Sequence, residues 1–119
     1  MSGRWPPNVY FLGAAGFPDG PVKIGYSRDI AMRMRTFAEW SPFKLEVLAS
    51  GDGGMKVERV LHRAFASDRL HFEWFRSSQR LRDLIAHTNA TRLEIAMRTI
   101  GLEYPFPFEP GLVTEASAA

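Results

Sequence analysis

An α/β domain of the α+β kind, with a small three-stranded mixed or antiparallel sheet flanked by helices, is the fold the sequence predicts. Three observations carry it. Short apolar runs near residues 8–13, 21–26 and 44–50 have the length of strands and stop at turn or cap signals. Helical spacing of apolar residues follows the second and third runs. The chain of 119 residues suits one domain with its own core. The order strand, strand, helix, strand, helix, helix stacks helices on a single sheet, with no internal repeat and no linker.

Residues 1–7, with two prolines, form a lead-in. Val9, Tyr10, Phe11 and Leu12 make a buried first strand. The Phe17-Pro18-Asp19-Gly20 signal turns the chain, so the second strand, 21–26, is most simply antiparallel to the first. Ser27 or Asp29 caps a helix at 29–40, with Ile30, Met34 and Phe37 on one face, and Ser41-Pro42 ends it. Leu45, Val47 and Ala49 alternate in the third strand. After the glycine-rich turn 51–54, Val57, Val60, Leu61, Ala64 and Phe65 form the clearest helical stripe in the chain. The aromatic run 71–75 packs back on the sheet. Ser77 or Ser78 caps a third helix with Leu81, Leu84 and Ile85 inward, and a separate short helix starts at Asn89 and ends at Gly101. Residues 104–110 hold three prolines and favour an extended segment; residues 113–119 lack the apolar surface to order themselves. The expected division is a domain at 8–88, a helical C-terminal extension at 89–104, and a Pro/aromatic segment with a disordered tail at 105–119.

No cysteine is present, which excludes disulfides and thiolate metal sites. No apolar run is long enough to span a bilayer and no signal segment opens the chain, so a cytoplasmic protein with no membrane partner is expected. The formal charge is only +2, but 12 of the 15 basic residues are arginine. Arginine makes forked contacts with phosphate, so nucleic acid is the expected partner.

The stretch 22–35 organises the chemistry. It brings Lys23 and Tyr26, on a strand, close to Arg33, on the first turns of a helix. Such a cationic and phenolic cluster suits an anion with planar oxygens. Glu58 and His62, four residues apart, share one flank of the second helix.

Val9-Tyr10-Phe11, Lys23-Ile24-Gly25, Arg33, Glu58-x-x-x-His62 and Glu73-Trp74-Phe75, in this order, resemble the GIY-YIG nuclease superfamily, in its phage-encoded and meiotically up-regulated branch. The likeness spans about residues 9–85. It implies a metal-dependent phosphodiesterase acting on DNA, with Mg2+ or Mn2+ as cofactor. By resemblance Tyr10 is the tyrosine of the first motif, Gly25 the glycine of the second, Arg33 the catalytic arginine and Glu58 the metal ligand. Lys23 stands where the second motif usually has tyrosine, and Phe72 where glycine commonly precedes E-W-F.

Each role has a plainer rival. Tyr10 would orient or deprotonate the attacking water, but a phenol ordinarily titrates near ~10, so Lys23 would have to steady the phenolate. Alternatively Lys23 protects a sheet edge. Glu58 is a hard-cation ligand, or a partner for His62, Lys56 or Arg59. His62 is a support for the metal site, a proton carrier or a packed side chain. Arg28, Arg35, Arg59 and Arg63, with Tyr26, are phosphate-contact candidates, or for the arginines a solvated helix face. Trp74 and Phe75 are expected in the core, with base stacking as the lesser alternative, and Glu73 bonds backbone or an arginine. The rivals to a nuclease are a degenerate nucleic-acid-binding module and a phage-type inhibitor. The latter would bind a protein partner, or a second copy, through the C-terminal segment.

Overall fold

Alternating side chains in the first two strands sort the sheet into two faces. In β1 (Asn8–Ala14) and β2 (Val22–Ser27), Val9, Phe11, Val22 and Ile24 enter the core, while Tyr10, Lys23 and Gly25 fall on the opposite face. The computed structural model describes residues 7–106. It pairs these strands antiparallel, with Tyr10 opposite Gly25 and Leu12 opposite Lys23. β3 (Leu45–Asp52) pairs with the other side of β1, also antiparallel, with a register shift between Phe11 and Leu12.

Two more strands correct the expected three-stranded sheet. β4 (Arg69–His71) and β5 (Trp74–Phe75) form a hairpin whose second strand pairs with β2 at Val22 and Lys23. The sheet is five-stranded, antiparallel throughout, in the order β3-β1-β2-β5-β4. Strands of three and two residues are too short to display a period, so the aromatic run reads from sequence only as packing material. Phe72 turns the hairpin at φ 53°, in the left-handed region that side chains rarely enter. β2 is an interior strand, so Lys23 does not guard a sheet edge.

α1 (Ile30–Trp40) begins at Asp29, whose carboxylate accepts from the Met32 amide at 3.0 Å, while Ser27 Oγ accepts from the Asp29 amide at 3.0 Å. Ile30, Met34 and Phe37 face inward but are only half-buried, and no α1 residue is fully buried. α2 (Met55–Ala64) is far better anchored: Val57 and Leu61 are fully buried, as is Phe65 just beyond its end. α3 (Gln79–Ala90) is capped by Ser78, which accepts from the Leu81 amide at 3.2 Å.

The last helix starts later than expected. α3 runs through Ala90, and α4 is Leu93–Thr99. Asn89 lies in the final turn of α3 and donates its amide to the Leu48 carbonyl at 2.9 Å, tying that helix to β3. Leu93, Ala96 and Met97 join the core formed by Val9, Phe11 and Val57. Gly51 permits this, because a Cβ there would collide with the Leu93 side chain. Gly101, at φ 86°, closes α4, and the Leu102 amide donates to the Met97 carbonyl at 2.8 Å. Tyr104 then docks by donating to the Asp52 carbonyl at 3.0 Å. The lead-in before Pro7 and the tail 113–119, with most of the proline-rich segment, lie outside the described residues. No helix among the described residues is long and apolar enough to cross a membrane.

The core face of the sheet thus carries α2, α3 and α4. The other face is covered thinly, by α1 alone among the helices, and there the side chains of Tyr10 and Lys23 meet open concavities.

Candidate active site

Tyr10, Tyr26, Arg28, Arg33, Glu58 and Glu73 converge on a concavity of about 430 Å³. Strand pairing builds its floor. Tyr10 lies across Gly25, and a Cβ on that glycine would stand 2.5 Å from the phenol oxygen. Only glycine leaves room for the ring. Phe37 of α1 holds the ring from its other side, with centroids 6.4 Å apart. Arg33, one turn into α1, hydrogen-bonds the Tyr10 hydroxyl.

Charge is what distinguishes the pocket. Burial pushes the Tyr10 phenol up to about 12; Arg33 pulls it down, and the carboxylates of Glu73 and Glu58 push it further up. Burial likewise lifts Glu58 to about 7, with the Glu73 charge adding to the rise and Lys23 and Arg59 opposing it. The Glu58 side chain has neither a hydrogen bond nor an ion pair among the described residues, although the residue is only 8 % exposed. Glu73 is compensated, by Lys23 Nζ at 2.9 Å.

The expected site residues separate into two groups. Tyr10, Arg33, Glu58, Tyr26 and Arg28 line one pocket. Lys23 stands outside its lining and reaches it through Glu73, with its ammonium 5.1 Å from the Phe37 ring centre and 6.0 Å from that of Trp74. The charges acting on the Tyr10 phenol are those of Arg33, Glu73 and Glu58. His62 is directed away. Its Nε2 lies 2.9 Å from the Ile24 carbonyl and so carries the proton, its Nδ1 is 3.4 Å from Arg69, and its ring packs on Phe75. The Ile24 amide donates to Glu73 near the end of β5, and His62 serves the carbonyl of the same residue. Of the phosphate-contact candidates, Arg59 is exposed beside Glu58 and acts on its charge, while Arg35 and Arg63 are exposed away from the pocket lining. Glu73 is the participant that sequence reasoning set aside. Its place in Glu73-Trp74-Phe75 was the available signal, but its contact with Lys23, fifty residues away, was not.

Among the described residues no three His, Asp or Glu side chains cluster to form a metal cage. The donors at hand are Glu58, with Glu73, Asp29 and the Tyr10 hydroxyl nearby; Glu73 is paired with Lys23, and Asp29 accepts from the Met32 amide. An unpartnered carboxylate held near neutrality fits a hard cation, because Mg2+ takes one or two carboxylates and completes its shell with water and phosphate oxygens. A larger groove of about 730 Å³ adjoins this pocket, but among the described residues Lys23 is the only ionisable one lining it. The smaller pocket holds Tyr10 and Glu58, both perturbed, and is the candidate for chemistry.

The fold and pocket define a small mixed α/β domain that gathers a phenol, a guanidinium and a strained carboxylate on the thinly covered face of an antiparallel sheet. The model of the T5orf172 domain matches residues 8–99, and the chain belongs to that family. No curated protein and no solved structure matches it.

Proposed function

We propose that this T5orf172 domain is a phage-type, metal-dependent DNA endonuclease of the GIY-YIG kind, hydrolysing phosphodiester bonds. The observation that carries the reading is Glu58: a largely buried residue whose carboxylate has no hydrogen bond or ion pair among the described residues and opens on the same pocket as Tyr10 and Arg33. Without a cation that arrangement is costly, since ionised carboxylates are rarely buried unpaired.

Glu58 is the residue that would hold Mg2+ or Mn2+, and the bound ion would supply positive charge against the scissile phosphate. Arg33 presents a fork of N–H donors to the phosphoryl oxygens as charge builds on them. Its hydrogen bond to Tyr10 fixes the phenol beside the same phosphate. Tyr10 keeps its proton at neutral pH in the metal-free protein, so its part is to orient the attacking water, not to deprotonate it unaided. Lys23 pairs with Glu73 and, with Arg59, offsets the charge of Glu58 only in part, while Glu58 has no ion pair of its own among the described residues. His62, bonded to Ile24, supports the strand that carries Gly25 and takes no proton-transfer role. Tyr26 and Arg28 at the pocket, with Arg35, Arg59 and Arg63 on exposed surface, supply further phosphate contacts.

Nicking of supercoiled plasmid with Mg2+, lost with chelator and in Glu58→Gln, tests the proposal. The second reading, a DNA-binding module with a degenerate site, draws on the lack of a three-residue metal cage among the described residues. It forecasts salt-dependent DNA binding with no nicking at any Mg2+ concentration.

A further inference from the structure

The apolar groove beside the pocket has a chemistry of its own. Phe37, Trp40, Phe43 and Trp74 line it, together with Lys23, and no carboxylate among the described residues does. Trp40 is 83 % exposed and Phe43 56 %. Rings this open on an apolar surface mark a binding site more often than a packing fault. Phe43 is not loose: Phe17 meets it edge to face at 5.8 Å.

Groove and pocket share their dividing wall. Phe37 packs on Tyr10 on one side and lines the groove on the other. Lys23 in the groove is bonded to Glu73 in the pocket. Phe37 and Tyr10, one in each lining, have ring centroids 6.4 Å apart. A single nucleic-acid strand covers that distance in a very few nucleotides.

We infer that the groove receives unpaired bases of a strand whose phosphate occupies the Tyr10–Arg33–Glu58 pocket, which makes single-stranded or branched DNA, not intact duplex, the substrate class. The inference rests on the proposed phosphate site. Bases in a duplex are stacked on one another and offer no free face to Trp40 or Phe43, whereas unpaired bases stack on aromatic rings whatever their sequence. Charge selects the same partner. Lys23 in the groove and Arg28 and Arg33 in the pocket suit a polyanion, and the apolar groove suits the bases that a polyanionic strand carries.

The test compares an oligothymidine with an abasic oligomer of equal length, both labelled, by fluorescence anisotropy in chelator. The full-length wild type should bind the thymidine strand about five- to hundredfold more tightly than the abasic one. Trp40→Ala and Phe43→Ala, both at exposed positions, should bring that ratio toward one and leave abasic binding unchanged. Equal affinity for the two oligomers in the wild type overturns the inference, as does a ratio that survives both substitutions. If sedimentation shows a dimer that Trp40→Ala splits while the ratio is unchanged, the groove belongs to a second copy and the inference fails. Base-dependent binding without cleavage on any substrate supports the groove and removes only the nuclease reading. Cleavage without base dependence does the reverse.

Discussion

Glu58→Gln should stabilise the metal-free protein, and increasingly so as pH rises. Burial and the neighbouring Glu73 lift the Glu58 carboxyl from 4.5 to about 7 in the folded chain. A group whose folded pKa is raised contributes stability that is complete below its unfolded pKa and is lost as pH climbs through the folded one. The window is therefore about pH 4.5 to 7. The shift corresponds to about 3 kcal/mol at most, and water entering the mouth of the pocket reduces it to about 1–2 kcal/mol. Glutamine matches the shape and carries no charge, so the variant escapes the loss. Urea unfolding across this range should show the stability difference between variant and wild type growing by about 1–2 kcal/mol from about pH 4 to about pH 8, at constant m-value. Mg2+ at the upper pH should stabilise the wild type and not the variant, since it binds the native state through this carboxylate. Parallel pH curves for the two proteins would refute the reasoning, because Glu58 would then be an ordinary solvated carboxylate.

Other substitutions probe the frame around that residue. Phe65→Ala empties a site that is 1 % exposed and should cost about 3–5 kcal/mol in urea melts; a change near zero would place α2 wrongly. Arg33→Lys keeps the charge but loses the fork, so cleavage should fall by more than about tenfold while salt-dependent DNA binding barely moves; equal activity would make Arg33 a surface cation. Gly25→Ala should displace the Tyr10 ring and abolish cleavage with the fold retained by circular dichroism, and full activity would show that Tyr10 need not lie across that strand.

What could be read from the sequence was whatever repeats with a period or sits at a motif. The Val57–Phe65 stripe announces α2, and with it the flank carrying Glu58, because helical spacing and burial agree there. Capping chemistry located the ends of α1, where Asp29 and Ser41 act as their residue types suggest. The same pattern overstated α1, whose stripe is real but only half-covered, since spacing tells which residues share a face and not what lies against it. The β4–β5 hairpin escaped because two-residue and three-residue strands exist through their pairing with β2, a long-range contact. For the same reason neither the contact of His62 with the Ile24 carbonyl nor that of Glu73 with Lys23 could be read from the sequence.

Cleavage decides whether this pocket is an active site. Purified protein is incubated with duplex, single-stranded and branched DNA over a Mg2+ series, beside Glu58→Gln and a chelated control. The account predicts phosphodiester cleavage by the wild type that requires the metal, and collapse of that cleavage in the glutamine variant while metal-free DNA binding holds or tightens as a charge repelling phosphate is removed. Cleavage that survives undiminished in Glu58→Gln, or its absence for the wild type on every substrate at every Mg2+ concentration, would contradict it.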